Sequence, residues 1–368
     1  MKVLHAAFMA QSEPGILRQM SWENQAGSSL GISWDARLYT PAASAKSDSC
    51  IIPAVGVESA DPCSVPKRAK RWFALRRNYY TWLSQACSDY DAVLLRHTTC
   101  DPFRASFIKE AKIPVFSVHH SLEVPELKSR PGLEGRVRSA LESRLGAASI
   151  GASAGIVAVT EEIRTYELSR VGTQPWSYVY PNGIAWSDGL VSASEVPSTG
   201  VPEVLFVAST FVPWHGLDLL LDDIETSNEK FVLHLVGRLF ASDEVRARKD
   251  PRIVVHGLLK QDELKQLYRK CSLGLTSFAL ERKGMQEACT LKVREYLSVG
   301  LPVYSGHSDV FPQDFRFYRT GKASIQTILE FERSVRGESR AVISEESRPY
   351  IEKKRLLANL YKALEASF

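Results

Sequence analysis

Short apolar runs separated by stretches with helical periodicity are the feature that most constrains the fold of this chain. The runs lie at 2–7, 92–95, 114–118, 155–159, 204–207, 231–236, 253–255, 273–276 and 302–304. Each has the length of one buried strand, and most of the intervals between them have apolar residues at helical spacing. Strands that alternate with helices form parallel sheets covered on both faces. The sequence therefore predicts an α/β protein with doubly wound parallel sheets.

The length of 368 residues predicts two domains, because a single core rarely grows beyond about 250–300 residues. Glycine, serine and proline accumulate over 180–203, and we place the hinge there. We predict a Rossmann-like N-terminal domain over 1–185 and a second Rossmann-like domain over 186–345. A final helix over 346–368 would pack back toward the N-terminal domain. Two such domains facing a cleft would bind ligands at the carboxyl ends of their strands.

Composition and motifs exclude several classes of protein. Hydrophobic residues make up 44% and charged residues 24%, as in globular proteins. The chain has no apolar run that would span a membrane, and its first residues lack the apolar run of a signal peptide, so we expect a cytoplasmic protein. Dinucleotide-binding and P-loop glycine patterns are absent, and the six cysteines lack metal-site spacing. Asp89-Tyr90-Asp91 has the form of a D-x-D metal motif, but a polar helix end before a strand is the preferred interpretation.

Two glutamates, Glu287 and Glu295, flank Lys292. On one helix they would be about 80° apart, so a loop followed by a helix that begins near Thr290 fits better. Free amides at the start of that helix, including the amide of Leu291, would bind a phosphate, and Lys292 adds a positive charge. Glu287 would then reach hydroxyls of a group attached to the phosphate, and Glu295 a ribose. The alternative for a lone pair at this spacing is a solvated helix face.

The segment LKVREYLSVGLPV, together with this glutamate pair, resembles the retaining glycosyltransferases of the GT-B fold, particularly family 4 and its relatives. Those enzymes have two glutamates separated by seven residues, as Glu287 and Glu295 are. Further blocks that match the family lie earlier in the sequence, in the expected order, at 155–163, 179–184, 206–221, 233–239 and 254–277. The resemblance implies a metal-independent, retaining hexosyltransferase without a cofactor. The C-terminal domain would bind the nucleotide-sugar donor and the N-terminal domain the acceptor.

The resemblance also implies roles for residues near the reacting groups. Glu287 would hold the donor sugar and Glu295 the ribose. His119 would act near the anomeric centre, with His120 beside it, although a structural histidine is the alternative. Gly15 would let the acceptor approach the backbone closely.

The chain departs from this family at the diphosphate. Many relatives hold it with an arginine and a lysine where this sequence has Thr210 and His215. We expect His215 to donate a hydrogen bond. The missing positive charge would come from Lys292 or from three further cations, for which surface positions are the alternative: Arg238, Arg282 and Lys283.

The basic, aromatic stretch 66–83 concerns the partners of the protein. Apolar side chains recur at helical spacing and predict a buried stripe: Trp72, Leu75, Tyr79 and Leu83. Six cations would lie outside it: Lys67, Arg68, Lys70, Arg71, Arg76 and Arg77. One interpretation is a core helix with a solvated face. The other is peripheral contact with anionic lipid on the inner face of the cytoplasmic membrane, as in bacterial synthesis of lipopolysaccharide, capsule or exopolysaccharide on a lipid-linked acceptor.

Two alternative functions remain open from the sequence. A nucleotide-sugar epimerase can share the fold, although the LK-EYL run is not expected in one. A non-catalytic scaffold protein is the other alternative, consistent with Thr210 and His215. No nucleic-acid partner is expected, because no binding motif accompanies the basic residues.

Overall fold

The computed structural model describes residues 1–10, 14–41, 49–54, 64–172, 175–186 and 200–368. Within it the chain divides into two compact units, Met1–Ala185 with Lys353–Phe368, and Trp186–Glu352. Most of the predicted hinge, 187–199, lies outside the described residues. None of the helices in the described segments is long and apolar enough to cross a membrane.

The N-terminal unit contains a seven-stranded parallel sheet. Its strands are β1 Lys2–Phe8, β2 Ser33–Pro41, β3 Ile51–Ala54, β4 Ala92–Arg96, β5 Val115–His119, β6 Gly155–Ala158 and β7 Trp176–Val179, in the order β3-β2-β1-β4-β5-β6-β7. Its helices are α1 Pro14–Leu30, α2 Val65–Ala86, α3 Arg104–Glu110, α4 Glu123–Lys128, α5 Leu133–Ala152 and α6 Glu161–Ser169. A short 3-10 helix, Cys87–Asp89, follows α2.

The core of this unit lies on both faces of the sheet. Successive residues of β1 enter opposite clusters: Val3 packs with residues of α1, and Leu4 packs with Tyr79 of α2. A parallel strand with helices on both sides must be apolar on both sides, and six of the seven residues of β1 are buried. The predicted architecture of a doubly wound sheet is therefore confirmed.

The second unit contains a six-stranded parallel sheet with the order β10-β9-β8-β11-β12-β13. The strands are β8 Glu203–Thr210, β9 Val232–Arg238, β10 Ile253–Gly257, β11 Leu273–Leu275, β12 Val303–Ser305 and β13 Tyr318–Thr320. The helices are α7 Leu217–Thr226, α8 Ala241–Lys249, α9 Gln261–Lys270, α10 Leu291–Ser298, α11 Ile325–Val335 and α12 Arg340–Ile351, and 3-10 helices lie at Pro213–His215 and Leu280–Lys283.

The end of the chain differs from the single helix predicted over 346–368. Helix α12 ends at Ile351, Glu352 is extended, and a separate helix, α13, spans Lys353–Glu365. The Lys353 amide donates to the Ile184 carbonyl instead of continuing the turn of α12 (2.8 Å). Helix α13 belongs to the N-terminal unit and packs on α1 through five buried side chains: Leu356, Leu357, Leu360, Tyr361 and Leu364.

A buried ion cluster joins the start of α13 to α1. The Lys353 ammonium lies 3.5 Å from the Glu23 carboxylate, and both side chains are at most 3% exposed. Glu23 also accepts hydrogen bonds from His5 (2.7 Å), Trp34 (3.2 Å) and Tyr180 (3.2 Å). Burial raises the pKa of Glu23, but the charges and hydrogen bonds around it outweigh burial and lower the pKa to about 2.

Candidate functional site

In the C-terminal unit, Trp186–Glu352, the order of the strands reverses between β8 and β11. The chain runs from β8 to β9 on one side, and β11 lies on the other side of β8. Ligands of doubly wound sheets bind outside the carboxyl ends of strands at such a point. The loops after these strands are joined, because the Phe278 amide donates to the His215 carbonyl (2.9 Å) and the Ala279 amide to the Trp214 carbonyl (3.3 Å). The topology therefore brings the loop that contains His215 to the loop that leads to Glu287.

Gly216 makes this joining of loops possible. Its φ is +67°, in the left-handed region, and a Cβ at this position would lie 2.9 Å from the Cβ of Phe278. Only glycine occupies both the conformation and the space at no steric cost.

His215 is a neutral hydrogen-bond donor in this arrangement. Its Nδ1 accepts the Val212 amide hydrogen (3.0 Å), so the ring proton lies on Nε2. Burial and the positive charge of Lys292 lower the pKa of His215 to about 3. His215 thus offers an N–H group without a charge.

The start of α10 has the features of an anion site. Thr290 occupies the N-cap position with extended dihedrals, but its side chain makes no capping hydrogen bond. Its Oγ1 is buried and has no hydrogen-bond partner among the described residues. The first-turn amides, including that of Leu291, therefore receive no cap from this side chain and remain donors for a ligand.

Lys292 adds a titratable positive charge in the first turn of α10. Burial lowers its pKa to about 8, although the carboxylate of Glu295 opposes this shift. The lysine is therefore largely protonated at neutral pH and loses its charge in mildly alkaline solution.

The two predicted glutamates lie on different local structures, as the loop-then-helix interpretation requires. Glu287 forms an isolated parallel bridge with Ser308, supported by hydrogen bonds from the Ala288 amide to the Ser308 carbonyl and from the Ser308 amide to the Gln286 carbonyl (3.1 Å each). Glu295 lies in the second turn of α10. Both glutamates are partly exposed.

Sequence reasoning missed the ion pair that supports this region. The Arg294 guanidinium donates two hydrogen bonds to the Asp309 carboxylate, and both side chains are completely buried. Arg294 also donates to the Thr290 carbonyl (3.4 Å). Asp309 directly follows Ser308, the bridge partner of Glu287. One buried pair therefore connects the start of α10 to the segment that holds Glu287.

Arg282 and Lys283, two of the three further cations, make different contacts. The Arg282 guanidinium makes two hydrogen bonds to Asp218 (2.8 and 2.9 Å) and one to the Pro213 carbonyl (2.7 Å). It stabilises the joined loops, so the prediction that it supplies charge to the diphosphate is not supported by its contacts. Lys283 lies over the Trp214 ring, with 4.7 Å from Nζ to the centroid, and its charge also contributes to lowering the pKa of His215.

Arg238 and Thr210 lie side by side at the carboxyl ends of β9 and β8. They are register partners, and the Phe211 amide donates to the Arg238 carbonyl (2.8 Å). The Arg238 side chain is exposed. The strand that contains Arg238 approaches β8 closely, because a Cβ on Gly237 (φ +134°) would lie 1.7 Å from the Ala208 carbonyl oxygen.

In the N-terminal unit, the surroundings of His119 bear on its two interpretations, a histidine near the anomeric centre and a structural histidine. Its side chain is completely buried at the end of β5. The ring donates from Nδ1 to Glu123 (3.2 Å) and accepts at Nε2 from the Ser117 hydroxyl (3.0 Å), since Ser117 itself accepts from Arg104. Burial lowers the pKa of His119 to about 4. A structural histidine describes this position better than a catalytic one.

His119 belongs to a buried cluster of acids and histidines. Its ring stacks on His97 at 4.6 Å between centroids, and donor atoms of His119, Glu123 and Glu167 lie within 4.8 Å of one another. That spacing would fit a metal ion, but Arg170 already lies 2.6 Å from Glu167 and supplies positive charge there. Burial raises the pKa of Glu167 to about 8, so a proton shared with the adjacent Glu123 completes the cluster.

His120 directly follows β5, and Gly15 lies in the first turn of α1. The His120 ring is partly exposed and its Nε2 lies 2.7 Å from Nη1 of Arg96. Burial and the Arg96 charge hold the pKa of His120 well below its usual range. Pro14 and Gly15 form the first turn of α1, because proline is pre-organised for the first helical position.

Part of the second unit matches a known protein family, and the whole chain matches solved structures in fold. Residues 201–313, which contain both glutamates and His215, match the family model described as glycosyl transferases group 1. No curated protein matches the chain by sequence. The chain and the lipopolysaccharide outer core galactosyltransferase WaaB, in its apo form, superpose over 100% of both chains with a TM-score of 0.68 at 12% identity.

Two further solved structures have the same fold over 100% of both chains. Sucrose-phosphate synthase from Thermosynechococcus elongatus has a TM-score of 0.64 at 14% identity, and Anabaena Alr3699/HepE in complex with UDP has a TM-score of 0.62 at 13% identity. The chain therefore has the GT-B fold, and residues 201–313 are similar to glycosyl transferases group 1. The resemblance inferred from the sequence is confirmed at this level.

Proposed function

We propose that the protein is a retaining, metal-independent hexosyltransferase that moves a sugar from a nucleotide-sugar donor to a saccharide or lipid-linked acceptor. The main support is the start of α10, where the buried Thr290 hydroxyl lacks a partner in the described structure and Lys292 adds charge. Alr3699/HepE, which shares the fold, has been solved with UDP-glucose. A nucleoside diphosphate-sugar is therefore the donor class that we assign to this site.

The proposed chemistry uses the groups around α10 to stabilise the departing diphosphate. The first-turn amides, Lys292 and the Nε2–H of His215 would donate to its oxygens as negative charge develops. Glu287 would bind the donor sugar and Glu295 the ribose. The acceptor hydroxyl would pass its proton to the leaving phosphate as the new glycosidic bond forms on the same face. Since these donors stabilise the leaving group directly, the proposed reaction needs no metal.

The acceptor is assigned to the N-terminal unit. Gly15 lies at the first turn of α1, and His120 is the partly exposed histidine after β5. Because His119 is enclosed by Ser117 and Glu123, we assign it to holding the end of β5 and not to the sugar. His120 replaces it as the candidate for acceptor contact.

We also propose a role in bacterial surface polysaccharide synthesis, with peripheral contact to anionic membrane through α2. WaaB, which has the same fold, is a lipopolysaccharide galactosyltransferase. Four cations of α2 are exposed: Lys67, Arg68, Lys70 and Arg77. Arg76 was predicted among the outer cations, but it is buried. Its Nε lies 3.6 Å from the Asp101 carboxylate, and its guanidinium lies over the Trp72 ring. Arg71 is partly buried.

Donor binding is tested first by calorimetric titration with UDP, GDP, ADP and CMP. We expect one nucleotide to bind, and Lys292→Met to weaken its affinity about tenfold, the effect of about 1.4 kcal/mol. Lys265→Met is the matched control, since Lys265 is an exposed lysine of α9 paired with Asp262. Equal affinities in the two variants would contradict the assignment of the anion site.

The alternative functions are separated by incubating the protein with a panel of nucleotide-sugars without acceptor. Slow release of free sugar supports a transferase, formation of an isomeric sugar supports an epimerase, and no binding supports a scaffold. Repeating the transfer reaction in EDTA tests metal independence, and loss of turnover that Mg²⁺ restores would refute it.

A further inference from the structure

Helix α5 has its polarity reversed relative to an ordinary surface helix. Three apolar side chains four residues apart face outward: Leu133 is 74% exposed, Val137 56% and Leu141 44%. Most buried positions of the helix are instead small or polar: Gly135, Ser139, Glu142, Gly146 and Ser149; Ile150, near its end, is apolar. A helix of a soluble domain normally turns its apolar stripe toward the core. The outward stripe of α5 therefore requires an explanation.

The rotation of α5 about its axis is fixed by its inner face. Buried Glu142 accepts hydrogen bonds from the His97 ring (2.9 Å) and the Cys100 amide (2.6 Å). A Cβ on Gly135 would lie 2.5 Å from the Arg130 carbonyl oxygen, a backbone atom, so this buried position has no room for a larger side chain. Turning the apolar stripe inward would bury leucine in place of glycine and expose Glu142. The contacts of the inner face of α5 therefore keep the stripe exposed.

The charges around the stripe are almost all positive. Exposed cations flank it at the end of α4 and along α5: Lys128, Arg130, Arg136 and Arg144. The exposed acid of this segment, Glu134, lies 3.3 Å from Arg138. An apolar face bordered by cations is the pattern of helices that lie in a membrane interface.

One loop of the N-terminal unit connects α2 and α5. The Phe73 side chain of α2 is 50% exposed, and its ring contacts Phe103, with 6.1 Å between centroids. A few residues earlier in the same loop, Cys100 Sγ donates to the Arg138 carbonyl of α5 (3.4 Å). Loop 97–103 therefore contacts both α2 and α5 within the N-terminal unit.

We propose that the outward face of α5 inserts into the interface of an anionic lipid bilayer, with the cations of α5 and α2 on the lipid headgroups. Apolar insertion and attraction to anionic headgroups act together on such a surface. A second copy of the chain fits less well, because a symmetric dimer through this face would bring like charges together. This surface does not depend on the proposed sugar transfer.

The experiment measures sedimentation of the full-length protein with vesicles of phosphatidylcholine containing about one-third phosphatidylglycerol, against pure phosphatidylcholine. Leu133→Ser/Val137→Ser removes the two most exposed members of the stripe and should reduce binding at least fivefold. Val245→Ser/Leu258→Ser is the matched control, with both residues 57% exposed on the other unit, and should bind like the wild type. Raising the salt concentration should weaken binding of the wild type without abolishing it.

A second readout reports the position of the stripe directly. Leu133→Trp should show a blue-shifted emission on addition of anionic vesicles, while Leu258→Trp should not. Wild-type protein that ignores anionic vesicles overturns the proposal, as does equal binding by the two serine double variants. Analytical ultracentrifugation provides the remaining test: a dimer that Leu133→Ser/Val137→Ser dissociates would show that a second copy occupies this face, and a monomer supports the lipid surface.

Discussion

The buried pair of Arg294 and Asp309 allows a quantitative test of how the donor region is held together. Asp309→Ala removes a carboxylate that accepts two hydrogen bonds from a fully buried guanidinium. Breaking one side of a buried pair costs about 3–5 kcal/mol, because the remaining charge is left without compensation. For a domain of this size, roughly 2–4 °C of melting temperature is lost per kcal/mol. We therefore expect the C-terminal transition to fall by roughly 6–20 °C.

The assay is differential scanning calorimetry, in which the two units can melt as separate transitions. Arg294→Met/Asp309→Leu is the control, since removing both members of a buried pair is often neutral or stabilising. It should melt well above Asp309→Ala. If Asp309→Ala lowers the transition by less than about 2 °C, the pair contributes no more than an exposed one and the reasoning fails.

The same pair should affect catalysis through Glu287. Asp309 follows Ser308, whose backbone bridges Glu287, and it accepts the Val310 amide hydrogen (2.7 Å). Because Glu287 is assigned to the sugar, we expect the double variant to retain nucleotide affinity and lose at least tenfold in kcat, measured below its melting transition. Wild-type kcat in the double variant would show that the segment of Glu287 is held without the pair.

Three other predictions follow from single groups. Nucleotide affinity should fall as the pH rises through about 8, where Lys292 loses its proton, and the Lys292→Met variant should lack this step in calorimetric titrations from pH 6 to 9. Glu287→Ala should remove most turnover while equilibrium nucleotide binding stays within about threefold of the wild type; an equal loss of both would show that Glu287 contacts the nucleotide. Glu23, with its pKa lowered to about 2, stabilises the folded N-terminal unit above the unfolded value near 4.5 and loses this effect as the pH falls through 2. The shift corresponds to about 3 kcal/mol, so acid denaturation should depend less on pH in Glu23→Gln, and an unchanged profile would contradict it.

The strands that the sequence predicted are those whose residues are apolar on both sides. Strand β4 is buried at four of five positions and was found from its composition alone. Strand β2 was missed because Asp35 and Arg37 interrupt it, and in the structure these two form an ion pair with each other at 2.7 Å. Strands β3 and β13 lie at the ends of their sheets, where Pro53 interrupts β3 and two of the three residues of β13 are exposed, so neither gives a continuous apolar run.

The sequence predicted the local structure of the candidate site where residues close in the sequence determine that structure. The helix that starts after Thr290 follows from capping and periodicity within a few residues. The partners of Arg282 and His119 could not be predicted, because they are distant in the sequence: Asp218 lies 64 positions from Arg282, and Glu167 contacts His119 from the end of α6. Burial of a charged side chain depends on such long-range partners, which local patterns do not record.

The electrostatics of the C-terminal site favour a leaving group that must be bound and then released. His215 is neutral, Lys292 has a lowered pKa, and Arg282 is paired with Asp218. A ground-state nucleotide-sugar would meet few full charges there, whereas helix amides and N–H dipoles respond most strongly where charge develops during bond cleavage. In the proposed reaction, a neutral His215 therefore binds substrate and product less tightly than a cation would, while the oriented donors still act on the departing diphosphate.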